Sequence, residues 1–254
     1  MIEIFILSIV QGVTEFLPIS SSSHLIIISE FKSFDNKSLS LDVSMHIGSF
    51  IAVLVYFHKD ILNFMENRNL FLKIFLSSIP VIFVGFILVK TNLIDDLRNL
   101  KVIGWMTLIF GILLYLSDNS KMEKDIKNNF NFKSALIIGC FQTLSLFPGV
   151  SRSGITITSA RLLNFKRVDS AKISFLLSLP TLGAVSIYGL NDIISRNDIF
   201  FSIKNFIAIV LSFLFSILTI KYFLKYIKKF SLKLFVIYRV FLGLILLSYA
   251  YLQN

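Results

Sequence analysis

At 254 residues, 55% of them hydrophobic and only 16% charged, with 27 phenylalanines, the chain carries more apolar surface than a water-soluble core of its length would use. Its formal charge of +10 is spread over short loops between apolar runs, which reads as topology signalling and argues against a nucleic-acid-binding face. The single cysteine, Cys140, excludes an internal disulfide and any multi-thiolate metal site, and is expected as a small apolar core residue.

In chain order, residues 1–17 lack a basic leader region and a small-residue cleavage site, so they are expected to belong to the mature protein. Residues 1–30 form an apolar segment interrupted by Pro18 and the run Ser20 to Ser23. Spanning helices are then expected at about 40–57, 70–89 and 101–117. A second interrupted segment, 134–160, breaks at Pro148-Gly149, and helices follow at about 170–189, 203–220 and 232–252. With their flanks the charge-free runs approach the roughly 20 residues that cross a bilayer at about 1.5 Å per residue. Proline and serine-rich stretches end helices, so both interrupted segments are expected to be re-entrant hairpins, with non-helical backbone placed around a polar cavity.

The two halves repeat. A shift of 132 sets Ala52-Val53 on Ala184-Val185, Leu100-Lys101 on Leu232-Lys233 and Gly111 on Gly243, while a shift of 130 sets Pro18 on Pro148, Ser21 on Ser151 and Ser23 on Ser153. The expected organisation is one integral membrane domain, 1–254, with repeats at 1–117 and 134–254 joined by a loop at 118–133. Three crossings per half force opposite orientations. The fold class is therefore an all-α polytopic membrane protein: an inverted-topology repeat with two re-entrant helical hairpins and about six spanning helices. Sixteen Lys and Arg residues then fall on the side of Lys59, Lys73, Lys121 and Lys225, against seven on the side of Lys32, Lys37, Lys90, Arg196 and Lys204. The first side is cytoplasmic by that bias. Cysteines at Asn36 or Asn197 should accordingly label from outside, and those at Asn119 or Ser231 should not.

Ionisable residues at membrane depth are costly and mark functional sites. Glu15 is the one carboxylate expected well inside the apolar region, and it shares a helix face with Gln11. His24 closes the serine loop and is expected beside Glu15 and the facing Ser-Arg loop. In that second loop, Ser151-Arg152-Ser153-Gly154-Ile155-Thr156, one permanent cation sits among hydroxyls and backbone N–H groups at the start of a helix, a set suited to phosphate oxygens. Arg239 is expected to snorkel to the cytoplasmic surface. His46 is expected as a packed helix residue approaching the cavity, and His58 at a helix end.

The two loops, Gln11-Gly-Val-Thr-Glu15-Phe-Leu-Pro-Ile-Ser-Ser-Ser-Ser-His24 and Pro148-Gly-Val-Ser-Arg-Ser-Gly-Ile-Thr156, together with Ser174-Phe-Leu-Leu-Ser-Leu-Pro180 and Ile237-Tyr-Arg239, resemble the undecaprenyl pyrophosphate phosphatase family associated with bacitracin resistance. The resemblance covers essentially the whole chain. It implies hydrolysis of a polyprenyl diphosphate to the monophosphate and inorganic phosphate, recycling the carrier for cell-wall synthesis. It carries catalytic roles to Glu15, Ser21, His24 and Arg152, and substrate binding to Gln11, Ser20, Ser22, Ser151, Ser153, Gly154 and Thr156. Gln11 stands where many members have Glu, and Ser22-Ser23 where Thr-Gly is common; the first departure leaves a two-carboxylate metal site in doubt.

The expected cofactor is a divalent cation, magnesium with calcium as the alternative, bridging Glu15 and the diphosphate. Either Ser21 attacks, with His24 or Glu15 accepting its proton, or His24 attacks directly. The expected partners are the lipid diphosphate, membrane lipids and a second copy in a homodimer. The expected location is the bacterial cytoplasmic membrane, with the cavity facing outside. A type 2 phosphatidic acid phosphatase needs a histidine after its Ser-Arg loop, and none follows Arg152. A lipid flippase is the remaining alternative, since broken helices in inverted repeats are frequent in transporters.

Overall fold

The computed structural model describes residues 1–32, 39–66, 68–91, 97–195 and 203–252, and among them no strand forms; a single β-bridge pairs Lys124 with Phe165. Asn36, Lys37, Arg196 and Asn197 lie outside the described residues. The first half contains α1 (Ile2–Thr14), α2 (Ser21–Lys32), α3 (Leu39–Tyr56), α4 (His58–Glu66), α5 (Arg68–Lys90) and α6 (Leu100–Asp118). After the short α7 (Ile126–Asn129) come α8 (Phe132–Gln142), α9 (Arg152–Leu162), α10 (Arg167–Ser195), α11 (Ile203–Ile227) and α12 (Lys233–Leu252).

The protein is an all-α polytopic membrane protein. Among the described residues five helices, α5, α6, α10, α11 and α12, are long and apolar enough to cross a bilayer. The expected sixth, α3, is shorter, and its Met45, Ala52 and Val53 are fully buried inside the bundle. Outward faces are apolar, as lipid contact requires: Phe75, Ile79, Phe83 and Phe86 on α5, and Leu234, Ile237, Phe241 and Leu244 on α12. Cys140 lies on this exposed surface and not in the core, because the short α8 turns that face away from its partner α5. The amphipathic α4 has no counterpart among the expected elements, since a helix of mixed polarity leaves no long apolar run.

Lipid supplies no hydrophobic drive between helices, so close backbone approach and buried hydroxyls do the work. A Cβ on Gly12 would come within 2.8 Å of Ser212 O, and one on Gly48 would overlap Ile209 O, so α1 and α3 lie directly against α11. Ser49 Oγ is 3.0 Å from both Ser212 Oγ and Ser216 Oγ at that crossing. The packing exchanges when the halves are exchanged: α1 lies on α11 and α8 on α5, while α6 meets α12 and α3 meets α10. Inside, the rings of Phe16, Phe57 and Phe223 surround Phe175 with centroids 5.4, 6.1 and 6.0 Å away. Phe16 thereby anchors the residue next to Glu15 in the core.

At one end of the bundle Asp118 ties four helices together. It accepts from Arg167 Nε at 2.6 Å and from the Leu232 backbone N–H at 2.9 Å. The fully buried Arg161 donates to the carbonyls of Asp118, Ser120, Lys121 and Phe165.

Candidate active site

Each interrupted segment is a helix, a break and a second helix, as the prolines and serines predict. At both breaks one serine adopts a left-handed backbone, Ser20 at φ 73° and Ser151 at φ 72°, and the next residue opens the second helix. Such a conformation costs a non-glycine residue of order 1–3 kcal/mol and persists only where the surroundings impose it. The matched turns set the loops at an offset of 131, one residue from the 130 read off the prolines, so that Ser20 answers Ser151 and Ser21 answers Arg152.

The two breaks meet. Ser153 Oγ donates to Leu17 O at 2.7 Å, and Arg152 NH2 donates to Glu15 Oε1 at 2.7 Å, with the carboxylate and the guanidinium both largely buried. Glu15 Oε2 accepts from Ser21 Oγ at 2.7 Å and from Gln11 Nε2 at 3.0 Å. One carboxylate thus gathers the acid, the serine and the arginine that the sequence singled out. Arg152 also donates to Ser174 O at 3.2 Å and lies 5.9 Å from the centre of the Phe16 ring.

Glu15, Ser21 and Arg152 line a cavity of about 220 Å³ with Ser20, Ser22, His46, Ser145 and Ser151, and an apolar wall of Val81, Leu146, Leu182 and Val185. Complete small-molecule sites usually occupy about 300–1,000 Å³, so this one suits a head group whose apolar tail lies elsewhere. The starts of α2 and α9 both open on it, and helix starts favour anions. His46, the weaker histidine in the sequence, lines the cavity, its Nδ1 accepting from Gln11 Nε2 at 3.1 Å. The Gln11 amide nitrogen therefore faces two acceptors, which leaves the buried Oε1 without a partner.

Ser153, Gly154 and Thr156 are not among the residues that line the cavity. Ser151, which is, accepts through its Oγ from the Gly154 backbone N–H at 3.1 Å and caps α9; a Cβ on Gly154 would approach Arg239 NH1 to 3.2 Å. Thr156 Oγ1 is 2.8 Å from Arg152 O and 2.7 Å from Ser174 Oγ, bracing the first turn of α9 against α10. His24 does not join Glu15. Its Nδ1 is 2.6 Å from Ser20 O, its Nε2 is hydrogen-bonded to the Tyr238 hydroxyl, and it is not among the cavity-lining residues.

Arg239 overturns the snorkelling expectation. It is fully buried and donates to Pro18 O at 3.2 Å, Val150 O at 3.0 Å and Gly149 O at 2.9 Å, and more weakly to Thr107 O and Met106 O. The reason is that both helix breaks free backbone carbonyls in a water-poor interior, where an unpartnered carbonyl costs about 1–3 kcal/mol. A guanidinium with five donors satisfies several together. The sequence signal was a single arginine inside the last apolar run of a chain with two broken segments, whose freed carbonyls need donors.

Glu15 offers one hard carboxylate donor at the cavity wall, whereas Gln11 turns its amide nitrogen toward that carboxylate and does not line the cavity; no cluster of three or more His, Cys, Asp or Glu forms among the described residues. A single carboxylate fits a cation whose remaining ligands are substrate oxygens, as is usual for Mg²⁺, and not a complete protein cage.

Residues 4–245 match the model of the family described as bacitracin resistance protein BacA. The chain is similar to an undecaprenyl-diphosphatase of Pelagibacter ubique (strain HTCC1062), 50% identical over 253 residues and covering 98% of each chain. It is 36% identical over 261 residues to an undecaprenyl-diphosphatase of Jannaschia sp. (strain CCS1), again covering 98% of each chain. A third relative of that description, from Prochlorococcus marinus (strain MIT 9301), is 36% identical over 256 residues, covering 94% of this chain and 95% of its own.

Proposed function

The chain belongs to the bacitracin resistance protein BacA family, and from that premise we infer that it hydrolyses undecaprenyl diphosphate to the monophosphate and inorganic phosphate, recycling the lipid carrier. The observation that carries the site assignment is Glu15 Oε2 accepting from Ser21 Oγ while Glu15 Oε1 pairs with Arg152 of the opposite hairpin.

The terminal phosphoryl group lies in the cavity between the starts of α2 and α9. Arg152 offers two parallel donors to its oxygens, and the positive ends of both helices add to that field. Ser21 attacks phosphorus as Glu15 takes the hydroxyl proton; the Oγ–P bond forms, the anhydride P–O bond breaks, and the lipid monophosphate leaves with that proton, which frees the Glu15 carboxylate. Water then attacks the phosphoserine as Glu15 takes its proton; the Oγ–P bond breaks, Glu15 returns the proton to Ser21 Oγ, and phosphate is released. A divalent cation held by Glu15 would supply further positive charge to the diphosphate oxygens. His24, engaged by Ser20 and Tyr238, favours Glu15 over itself as the proton acceptor.

The isoprenoid tail leaves past Val81 of α5 and Leu182 and Val185 of α10, since Val185 is exposed to lipid at the cavity wall. The mouth faces the outer side of the cytoplasmic membrane, opposite the arginine- and lysine-rich face. Purified protein in proteoliposomes, given undecaprenyl diphosphate without any gradient, should release phosphate and lose that activity on chelation, regaining it with Mg²⁺. Lipid translocation without phosphate release would overturn the assignment in favour of a transporter, and activity indifferent to chelation would overturn the cation.

A further inference from the structure

α12 delivers two neighbouring side chains to the first hairpin, and only one of them is accounted for by backbone satisfaction. Arg239 serves the carbonyls of both loops; the Tyr238 hydroxyl is hydrogen-bonded to the imidazole of His24. The ring centroids are 5.7 Å apart and the planes within 10°, so the two rings lie nearly coplanar and meet edge to edge through that hydrogen bond.

The hydrogen-bond roles follow from the chemistry of the partners. His24 Nδ1 is 2.6 Å from Ser20 O, and a carbonyl only accepts, so the ring proton is on Nδ1. Nε2 is then a lone-pair acceptor, and the Tyr238 hydroxyl is its donor. The opposite tautomer would set the Nδ1 lone pair against the Ser20 carbonyl. Ser20 is also the residue held in the left-handed turn, at φ 73°, and the next residue is Ser21, whose Oγ donates to Glu15 at 2.7 Å. The order of contacts is Tyr238 to His24, His24 to Ser20, and Ser21 to Glu15.

We propose that Tyr238 is a positioning residue for the reaction: its hydroxyl fixes the Nδ1–H tautomer of His24, which clamps the Ser20 turn and so holds Ser21 on Glu15. This rests on the assignment of Ser21 as nucleophile. It gives His24 a part in catalysis without proton transfer to or from Ser21, and it places a phenol from the last helix in control of a loop more than two hundred residues away in sequence.

The test is histidine-selective ¹⁵N NMR of the full chain in detergent micelles, with the His24 signal identified by its loss in His24→Asn, alongside steady-state kinetics on undecaprenyl diphosphate. Tyr238→Phe keeps the ring and removes only the donor. The wild type should show His24 as the Nδ1–H tautomer, and Tyr238→Phe should show a substantial Nε2–H population. Its kcat should fall about ten-fold, the scale of one lost hydrogen bond, with KM within about two-fold. An unchanged tautomer overturns the proposal, and so does a changed tautomer with unchanged kcat or with the loss confined to KM. Because the tautomer is read without substrate, a wild type that releases no phosphate would instead sink the assigned reaction.

Discussion

Arg152→Ala should lower phosphate release at least about 100-fold, the usual cost of removing one preorganised charge-stabilising donor, with little change in KM for a lipid held mainly by its tail. Arg152→Lys should recover less than about a tenth of the lost rate, because an ammonium cannot reproduce the fork that now spans Glu15 Oε1 and Ser174 O. Near-normal turnover in the lysine variant would contradict that geometry. Glu15→Gln removes the partner of a largely buried guanidinium, so it should lower stability by about 3–5 kcal/mol as well as abolish activity, read as a fall in the unfolding midpoint in micelles. Glu15 and Arg152 were legible in the sequence because a lone charge at membrane depth needs a reason. The direction of His24 was not, since it depends on Tyr238 from the other end of the chain.

At the scale of elements, the long apolar helices and both breaks were readable from charge-free runs, Pro18, and Pro148-Gly149. What the sequence hid was how the breaks are satisfied. Arg239 looks like a residue near a helix end that reaches for the surface, and only the assembled bundle shows that the carbonyls of Pro18, Gly149 and Val150 converge on it. Gly149 is the companion constraint. Its φ of 99° disfavours any side chain, and a Cβ there would approach Ile103 O to 2.6 Å. Gly149→Ala should therefore cost about 1–3 kcal/mol or more and displace the Ser151 turn, seen as a lowered unfolding midpoint and reduced kcat. An alanine variant with unchanged stability would show that the loop is not clamped against α6.

For the whole molecule, the packing that exchanges when the halves exchange accords with a two-fold arrangement in which each hairpin brings its broken turn to a shared centre. The proposed sidedness rests on the charge bias. In a Cys140→Ala background, cysteine at Thr91 should react with an impermeant thiol reagent outside intact cells, and cysteine at Asn119 should react only after permeabilisation; both positions are exposed. The reverse pattern would invert the cavity.

In the proposed reaction Ser21 of one hairpin and Arg152 of the other act on a single phosphorus atom. Rapid quenching of the enzyme with undecaprenyl diphosphate labelled in its terminal phosphate reads this most directly. The prediction is an acid-stable phosphoserine at Ser21 that is absent from Arg152→Ala; an acid-labile phosphohistidine at His24, or ¹⁸O from water entering phosphate with no labelled protein, would contradict it.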